Sequence, residues 1–278
     1  MNAILLMLSV TGCYTLSSLS DKYAVSRARL TQNQFTLIMS SSLAFFLLCA
    51  LPLQEVYLTL TLPALLGVLL ITLCKYLEFS MGATVLKSIS AFELKAWLGI
   101  TLFASYFTDV AYEKTISLVK LLCLLGIVIG LFLIVYSGKE RKIEYKRMVL
   151  PLILYLASKY GYGLVIKVST PHIAPSLSLL FALILVAAIS FFQRKPDDKF
   201  QKGQKGILPV VAARIPNTVG MILENAVIGI SLVLYSLIQP LILVTLFLIS
   251  LLQKERCTPV NLIGNLLTVV GVLAFCLV

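Results

Sequence analysis

Arg214, Asn217, Met221, Glu224 and Asn225 stand at i, i+3, i+7, i+10 and i+11, inside a run from Ile207 to Leu252 in which Arg214 and Glu224 are the only charges. On a helix this spacing draws one polar stripe along an apolar rod. A charge at the centre of a membrane helix costs about 2.5–3.5 kcal/mol on insertion scales, so such groups turn toward a partner or a watery cavity. The stripe is therefore expected to line a cavity; the plainer alternative is an Arg214–Glu224 pair that only joins helices. Pro216 removes a backbone hydrogen bond beside Arg214 and Asn217, and Gly220 follows one turn later, so a kink or short unwound stretch is expected there.

Other segments carry matching chemistry. Lys75 and Glu78 are three apart and able to pair on one face. Lys159, Tyr162, Gly163 and Lys167 fall on one side of a later helix, and Tyr14, Ser18 and Lys22 occupy corresponding positions near the start of the chain. Lysines near helix ends commonly snorkel to the interface, the competing fate for Lys159 and Lys167. Tyr14, Tyr162 and Tyr235 offer aromatic walls with a polar handle, or a face for an organic cation. The expected cavity set is thus Tyr14, Lys75, Glu78, Lys159, Tyr162, Arg214, Asn217 and Glu224. It holds more basic than acidic groups, which favours an anionic or zwitterionic solute such as an amino acid. If protons drive the process, Glu224 or Glu78 is the natural carrier.

Catalysis is poorly equipped. The sequence holds no Gly-rich phosphate loop, no G-x-S-x-G elbow and no ATP-binding motif. His172 is the one histidine, set between Pro171 and Pro175 in a loop, so a histidine-based metal site is excluded. Cys13, Cys49, Cys74, Cys123, Cys257 and Cys276 are scattered singly without metal-ligand spacing and read as small apolar fillers. No cofactor is expected.

The elements that must position these residues are membrane helices. Hydrophobic residues make up 59% of the chain, mean hydropathy is +0.99 and only 13% are charged, against about 25% in soluble domains. Apolar stretches long enough to cross a bilayer fall at roughly 3–22, 34–53, 62–82, 90–110, 116–137, 149–168, 175–193, 207–229, 230–252 and 259–278. The eighth and ninth share one apolar run and must be joined by almost no loop. The first lacks a basic leader and a small-residue cleavage site, and reads as a retained helix.

The net charge of +11 is unevenly placed. Lys22, Arg27, Arg29 and Lys87, the tracts at 139–147 and 194–205, and Lys254 and Arg256 all fall in odd-to-even connections, whereas the opposite face has Lys114 and little else. The positive-inside rule puts those connections in the cytoplasm and both termini outside. These tracts read as topology determinants, not nucleic-acid surfaces.

The two halves of the chain correspond. Cys13 to Lys22 matches Ser158 to Lys167, each closing on a lysine; Glu113-Lys114-Thr115 before a helix with Gly126 and Gly130 matches Glu255-Arg256-Cys257-Thr258 before one with Gly264 and Gly271. Five spans per half, an odd number, make the second half insert upside down. With the Gln239-Pro240 step in the ninth span, this order resembles the drug/metabolite transporter superfamily, in particular its ten-helix EamA-type members, over essentially the whole chain. The first half lacks the proline that Pro240 supplies in the second, and members of that family usually keep both termini in the cytoplasm, the reverse of the charge count.

The resulting expectation is an all-α polytopic membrane protein of ten transmembrane helices, arranged as two inverted five-helix repeats, residues 1–138 and 139–278. The resemblance implies a central cavity between the halves and alternating access for a small metabolite. Lys75 is placed opposite Asn217 by the repeat. A lipid-linked-substrate flippase with a lateral opening, and an intramembrane lipid-modifying enzyme using Glu78 or Glu224 as acid and base, are the other classes. Expected partners are a small-molecule substrate and the lipids of the plasma membrane. The small residues of the fifth and tenth spans fit close helix contact, within the chain or in a homodimer.

Overall fold

Thr31, Thr61 and Thr258 each turn a hydroxyl onto an amide three residues ahead, Thr31 to Gln34 at 3.2 Å, Thr61 to Ala64 at 3.4 Å and Thr258 to Asn261 at 3.2 Å. Each satisfies an amide that a helix start leaves without an intrahelical partner. Gln34 reaches back to the Thr31 amide at 3.0 Å, completing a capping box. Pro63, Pro175 and Pro259 occupy first-turn positions, where a missing N–H does no harm.

The computed structural model describes residues 3–26, 30–89, 94, 96–137, 145–194, 207–252 and 258–278. The helices among them are α1 (Ala3–Ser26), α2 (Gln32–Ala50), α3 (Leu62–Leu86), α4 (Thr101–Glu113), α5 (Leu118–Ser137), α6 (Tyr145–Ser169), α7 (Pro175–Phe192), α8 (Ile207–Ala212), α9 (Arg214–Ile230), α10 (Leu232–Leu252) and α11 (Pro259–Leu277). Short 3₁₀ turns, Leu51–Leu53 and Leu98–Ile100, extend α2 and precede α4. Counting α8 and α9 as one broken rod, the described residues form ten helical rods and are all-α but for an isolated bridge between Leu58 and Ile173. Among the described residues, 7 helices are long and apolar enough to cross a membrane, and Ala3–Ser18 and Leu118–Ile134 are shorter apolar segments. The chain is a polytopic membrane protein.

Apolar residues face outward as well as inward. Leu65, Leu66, Leu69, Leu70 and Leu73 form an exposed leucine face on α3, and Leu262, Ile263, Leu266, Val270 and Leu273 do the same on α11. In water such faces would be hazards; in lipid they are the solvent-facing surface.

The four most extensive helix contacts cross the chain's midpoint, α5 lying along α11, α3 along α6, α1 along α9 and α2 along α7; α4 also packs on α10. The α5–α11 contact brings backbones together. A Cβ at Gly130 would sit 2.6 Å from the Gly264 carbonyl oxygen, and one at Gly264 would sit 2.7 Å from that of Gly130. These small residues meet each other inside the chain.

Two helix breaks shape the interior. α8 and α9 are separated at Ala213, three residues before Pro216, which has no N–H to donate to the carbonyl of residue 212 and whose ring would clash with it in a continuous helix. This is the interruption expected beside Arg214. The eighth and ninth rods meet at Ser231, which alone is extended, with φ −160° and ψ 136°. The basic tract at 195–205, most of that at 139–147, the Glu255–Cys257 stretch and the Lys22 side chain lie outside the described residues.

Candidate functional site

The polar stripe of α9 points inward: Arg214, Asn217, Met221, Glu224 and Asn225 are all buried. Phase alone, however, does not set depth. Residues ten apart on a helix are about 15 Å apart along its axis, and the stripe divides accordingly. Asn217 and Met221 line a central cavity of about 80 Å³. Glu224 and Asn225 lie behind the wall and hold tyrosines that form it or underlie it. Arg214 is a correction to the expected set: its Nε donates to the carbonyl of Val210 at 3.0 Å across the break, and it does not line the cavity. An Arg214–Glu224 pair is not formed, since Glu224 lies nearly three turns away and accepts from Tyr14.

At the cavity's centre are Lys75, Glu78 and Lys159. The Glu78 carboxylate accepts from Lys75 Nζ at 2.9 Å through Oε2 and from Lys159 Nζ at 2.6 Å through Oε1. The first pair lies within α3; the second joins α3 to α6. Lys159 therefore does not snorkel but points into the bundle. Lys75, only 1% exposed, also places its ammonium 3.7 Å from the centre of the Tyr162 ring, a cation–π contact strengthened by desolvation. Tyr162 is fully buried beneath the wall, and its hydroxyl donates to Asn225 Oδ1 at 2.7 Å.

Tyr14 does line the cavity, and its hydroxyl donates to Glu224 Oε2. Close approach of α1 to α9 makes this contact: a Cβ at Gly220 would sit 2.8 Å from Tyr14 Cε1. Glu224 is fully buried, and its Oε1 has no hydrogen-bond partner among the described residues. The two acids thus differ in kind. Glu78 is held by two ammonium groups; Glu224 is held by one phenol and retains an unused oxygen.

The structure therefore brings Tyr14, Lys75, Glu78, Lys159 and Asn217 to the cavity wall, with Tyr162 and Glu224 one layer behind. Phe35, Met39, Phe79 and Tyr155 supply an apolar and aromatic wall that the sequence reading did not assign, and Gln239, noted there only beside Pro240, faces the same space. The position of the cavity is directional. Ser17 and Ser18 come from the later part of α1, Phe35 from the start of α2, Gly82 and Leu86 from the end of α3, and Asn217 from the first turn of α9. All lie on the side of the odd-to-even connections.

The opposite side is tied. Lys167 donates to Asp109 Oδ1 at 2.7 Å, while Asp109 Oδ2 accepts from Ser231 Oγ at 2.7 Å and from the Val233 amide at 2.9 Å. Nearby, the connection after α2 clasps the one after α6: the Thr59 amide donates to the His172 carbonyl at 2.9 Å, and the Ala174 amide to that of Tyr57 at 2.9 Å. Asp109 was missed because a span ending at 110 makes it an interfacial residue; the helix continues to Glu113.

Comparison with known proteins shows the fold alone. No protein-family model and no curated protein matches the chain. Chains of solved structures do match, among them a crystal structure described only as that of a protein, with a TM-score of 0.65 and 16% identity over 97% of this chain and 98% of that one. The fold of the bundle is therefore shared with a solved structure of almost the same length.

Proposed function

We propose that this chain is a secondary transporter of the drug/metabolite transporter superfamily, EamA type, moving a small anionic or zwitterionic metabolite, such as an amino acid, across the plasma membrane. The observation that carries the reading is a polar, ion-bearing cavity lying toward one face of a membrane bundle whose other face is joined by Asp109–Lys167 and the 57–59 to 172–174 clasp. A cavity accessible from one side at a time is the requirement of alternating access.

Two inverted five-helix halves, 1–138 and 139–278, are part of the same proposal. Exchange of each rod with the one five places on maps the five contacts named above onto one another: α5 with α11, α2 with α7 and α4 with α10 map onto themselves, and α3 with α6 maps onto α9 with α1. A pseudo-twofold axis in the membrane plane would produce this scheme.

With no nucleotide-binding motif in the sequence, the driving energy is an ion or solute gradient. Glu224 is the better candidate for proton coupling, because Glu78 is engaged by two lysines while one Glu224 oxygen has no hydrogen-bond partner among the described residues. Purified protein in proteoliposomes, assayed for accumulation of radiolabelled amino acids and organic acids, tests the reading. Uptake of an unmodified solute supports it; chemical change of the solute, or scrambling of lipid-linked substrate in place of solute flux, overturns it.

A further inference from the structure

The ion cluster of the cavity is unbalanced. Among the described residues of the wall, Lys75 and Lys159 are the only bases and Glu78 the only acid. Two ammonium groups share one carboxylate, so the wall itself carries one positive charge more than negative; the next acid, Glu224, lies one layer behind and is engaged by Tyr14. Each Glu78 oxygen faces its own ammonium, at 2.9 and 2.6 Å, which is how a carboxylate is held at a binding site built for one. Both lysines are also supported by groups other than Glu78. The Tyr162 ring lies 3.7 Å from Lys75 Nζ, and Tyr235 anchors the Lys159 main chain by donating to its carbonyl at 2.9 Å. Withdrawal of Glu78 from Lys159 would leave a formed cradle.

We infer that Glu78 is an internal occupant of a carboxylate site, and that the solute carried is a monocarboxylate whose carboxylate group replaces Glu78 on Lys159. The charge count selects one negative charge: a monoanion neutralises the cluster, whereas a phosphate dianion would overshoot it. The wall beside the cluster, Phe35, Met39, Phe79 and Tyr155, suits an apolar or aromatic body attached to that carboxylate. Exchange conserves the ion pair made by Lys159 while dissolving its bond to α3. Because Lys75 and Glu78 share α3 and Lys159 belongs to α6, the solute takes over a contact between opposite halves of the chain. Its arrival thus removes a strut that holds the halves in one arrangement. This inference rests on the cavity being the transport site, but its first test does not.

The test uses the full chain in detergent, with thermal unfolding followed in sodium acetate, sodium phosphate and sodium chloride at equal ionic strength. Glu78→Ala leaves a carboxylate-sized gap between two ammonium groups. It is expected to unfold at a lower temperature than wild type in chloride and to recover toward wild type in acetate, with a smaller response to phosphate. The double variant Glu78→Ala with Lys159→Met is expected to lose the acetate response. No acetate-specific recovery, or the same recovery in the double variant, overturns the inference. Should Glu78→Ala not fold, Glu78→Asp keeps the charge and draws the internal carboxylate back from Lys159. Its half-saturation by benzoate is expected to fall about tenfold relative to wild type, as weakening of a competing internal state predicts; an unchanged or higher value overturns the inference. Solute flux in proteoliposomes without any carboxylate response would leave the transport reading standing and remove this one. Acetate rescue without flux would keep the carboxylate site and remove the transport reading, and with it the claim that the bound carboxylate is carried.

Discussion

Lys167 and Asp109 meet at 2.7 Å, joining the ends of α6 and α4 on the face away from the cavity. The same carboxylate reaches the start of α10 through Ser231 Oγ and the Val233 amide. Asp109 thus serves as an acceptor at a helix start from a different helix. Ser231 Oγ also accepts the Leu234 amide at 3.2 Å, so α10 retains a local cap if Asp109 departs. The tie can be released without unwinding the helix it caps.

Asp109→Asn tests this role. The amide oxygen still accepts from Ser231 or Val233, but the ion pair is lost. With Lys167 21% exposed, a loss of about 1–2 kcal/mol is expected, enough to shift a two-state balance roughly five- to thirtyfold. In a cysteine-free background carrying Gln239→Cys, an impermeant thiol reagent applied to the tied face should label the variant faster than its Asp109 parent. Equal rates would make Asp109 a static cap.

Orientation is the second prediction. The tracts at 139–147 and 194–205 carry ten of the basic residues, and are expected to face the cytoplasm. Alkaline phosphatase fused after Lys202 should be inactive, and green fluorescent protein at the same point should fluoresce. With that orientation the cavity faces inward. Phosphatase activity would turn the whole bundle over.

Gly264→Ala and Gly126→Ala should differ although both glycines belong to small-residue motifs. At Gly264 the added Cβ meets the Gly130 carbonyl oxygen at 2.7 Å and the Ile134 amide at 3.1 Å, backbone atoms that cannot swing aside. At Gly126 it meets only a Leu267 methyl at 4.0 Å. A loss of about 1–3 kcal/mol is expected for the first, as for overpacking generally, and nearly none for the second. Thermal unfolding of the two variants decides; equal behaviour would mean that the α5–α11 contact yields easily.

These contrasts show what a sequence carries and what it leaves out. Apolar run length located ten rods, including a junction at Ser231 so tight that hydropathy alone marks no gap. Helical phase turned the α9 stripe inward, but phase repeats every turn and carries no depth, so Arg214 was grouped with Asn217 although it sits toward the helix start. The Lys75–Glu78 pair was legible because it is local. The Lys159–Glu78 pair was not, because which helix lies against α3 is decided by the whole bundle. Asp109 was obscured by a misjudged helix end of three residues, enough to turn a buried acceptor into an apparent interfacial charge.

Glu224→Gln separates coupling from structure. The glutamine preserves shape and an oxygen for the Tyr14 hydroxyl, so folding should be near wild type, within about 1 kcal/mol. Flux driven by an imposed proton gradient is expected to fall at least about tenfold, while exchange of labelled for unlabelled solute persists. Gradient-driven uptake equal to wild type would reduce Glu224 to a partner for Tyr14.

Pro216→Ala addresses the break itself. Pro216 lies in the first turn of α9, and its missing N–H would otherwise face the carbonyl of Ala212 across the interruption at Ala213. Alanine restores a donor there and favours one continuous rod. The stretch on either side carries Arg214, tied back to Val210, and Asn217, which faces the cavity. Straightening it should therefore rotate Asn217 relative to the cavity and weight one access state over the other, a population shift with the fold intact. The expected signature is a divergence between binding and turnover: solute affinity altered severalfold in one direction, with maximal flux reduced, because the favoured state binds but no longer exchanges freely with its alternative. Thermal stability should change by no more than about 1 kcal/mol, since the hydrogen bond regained offsets the freedom that losing a proline returns to the unfolded chain. Affinity and maximal flux both equal to wild type would mean that α8 and α9 move as one body and that access is switched elsewhere in the bundle, with the Asp109 tie the next place to look.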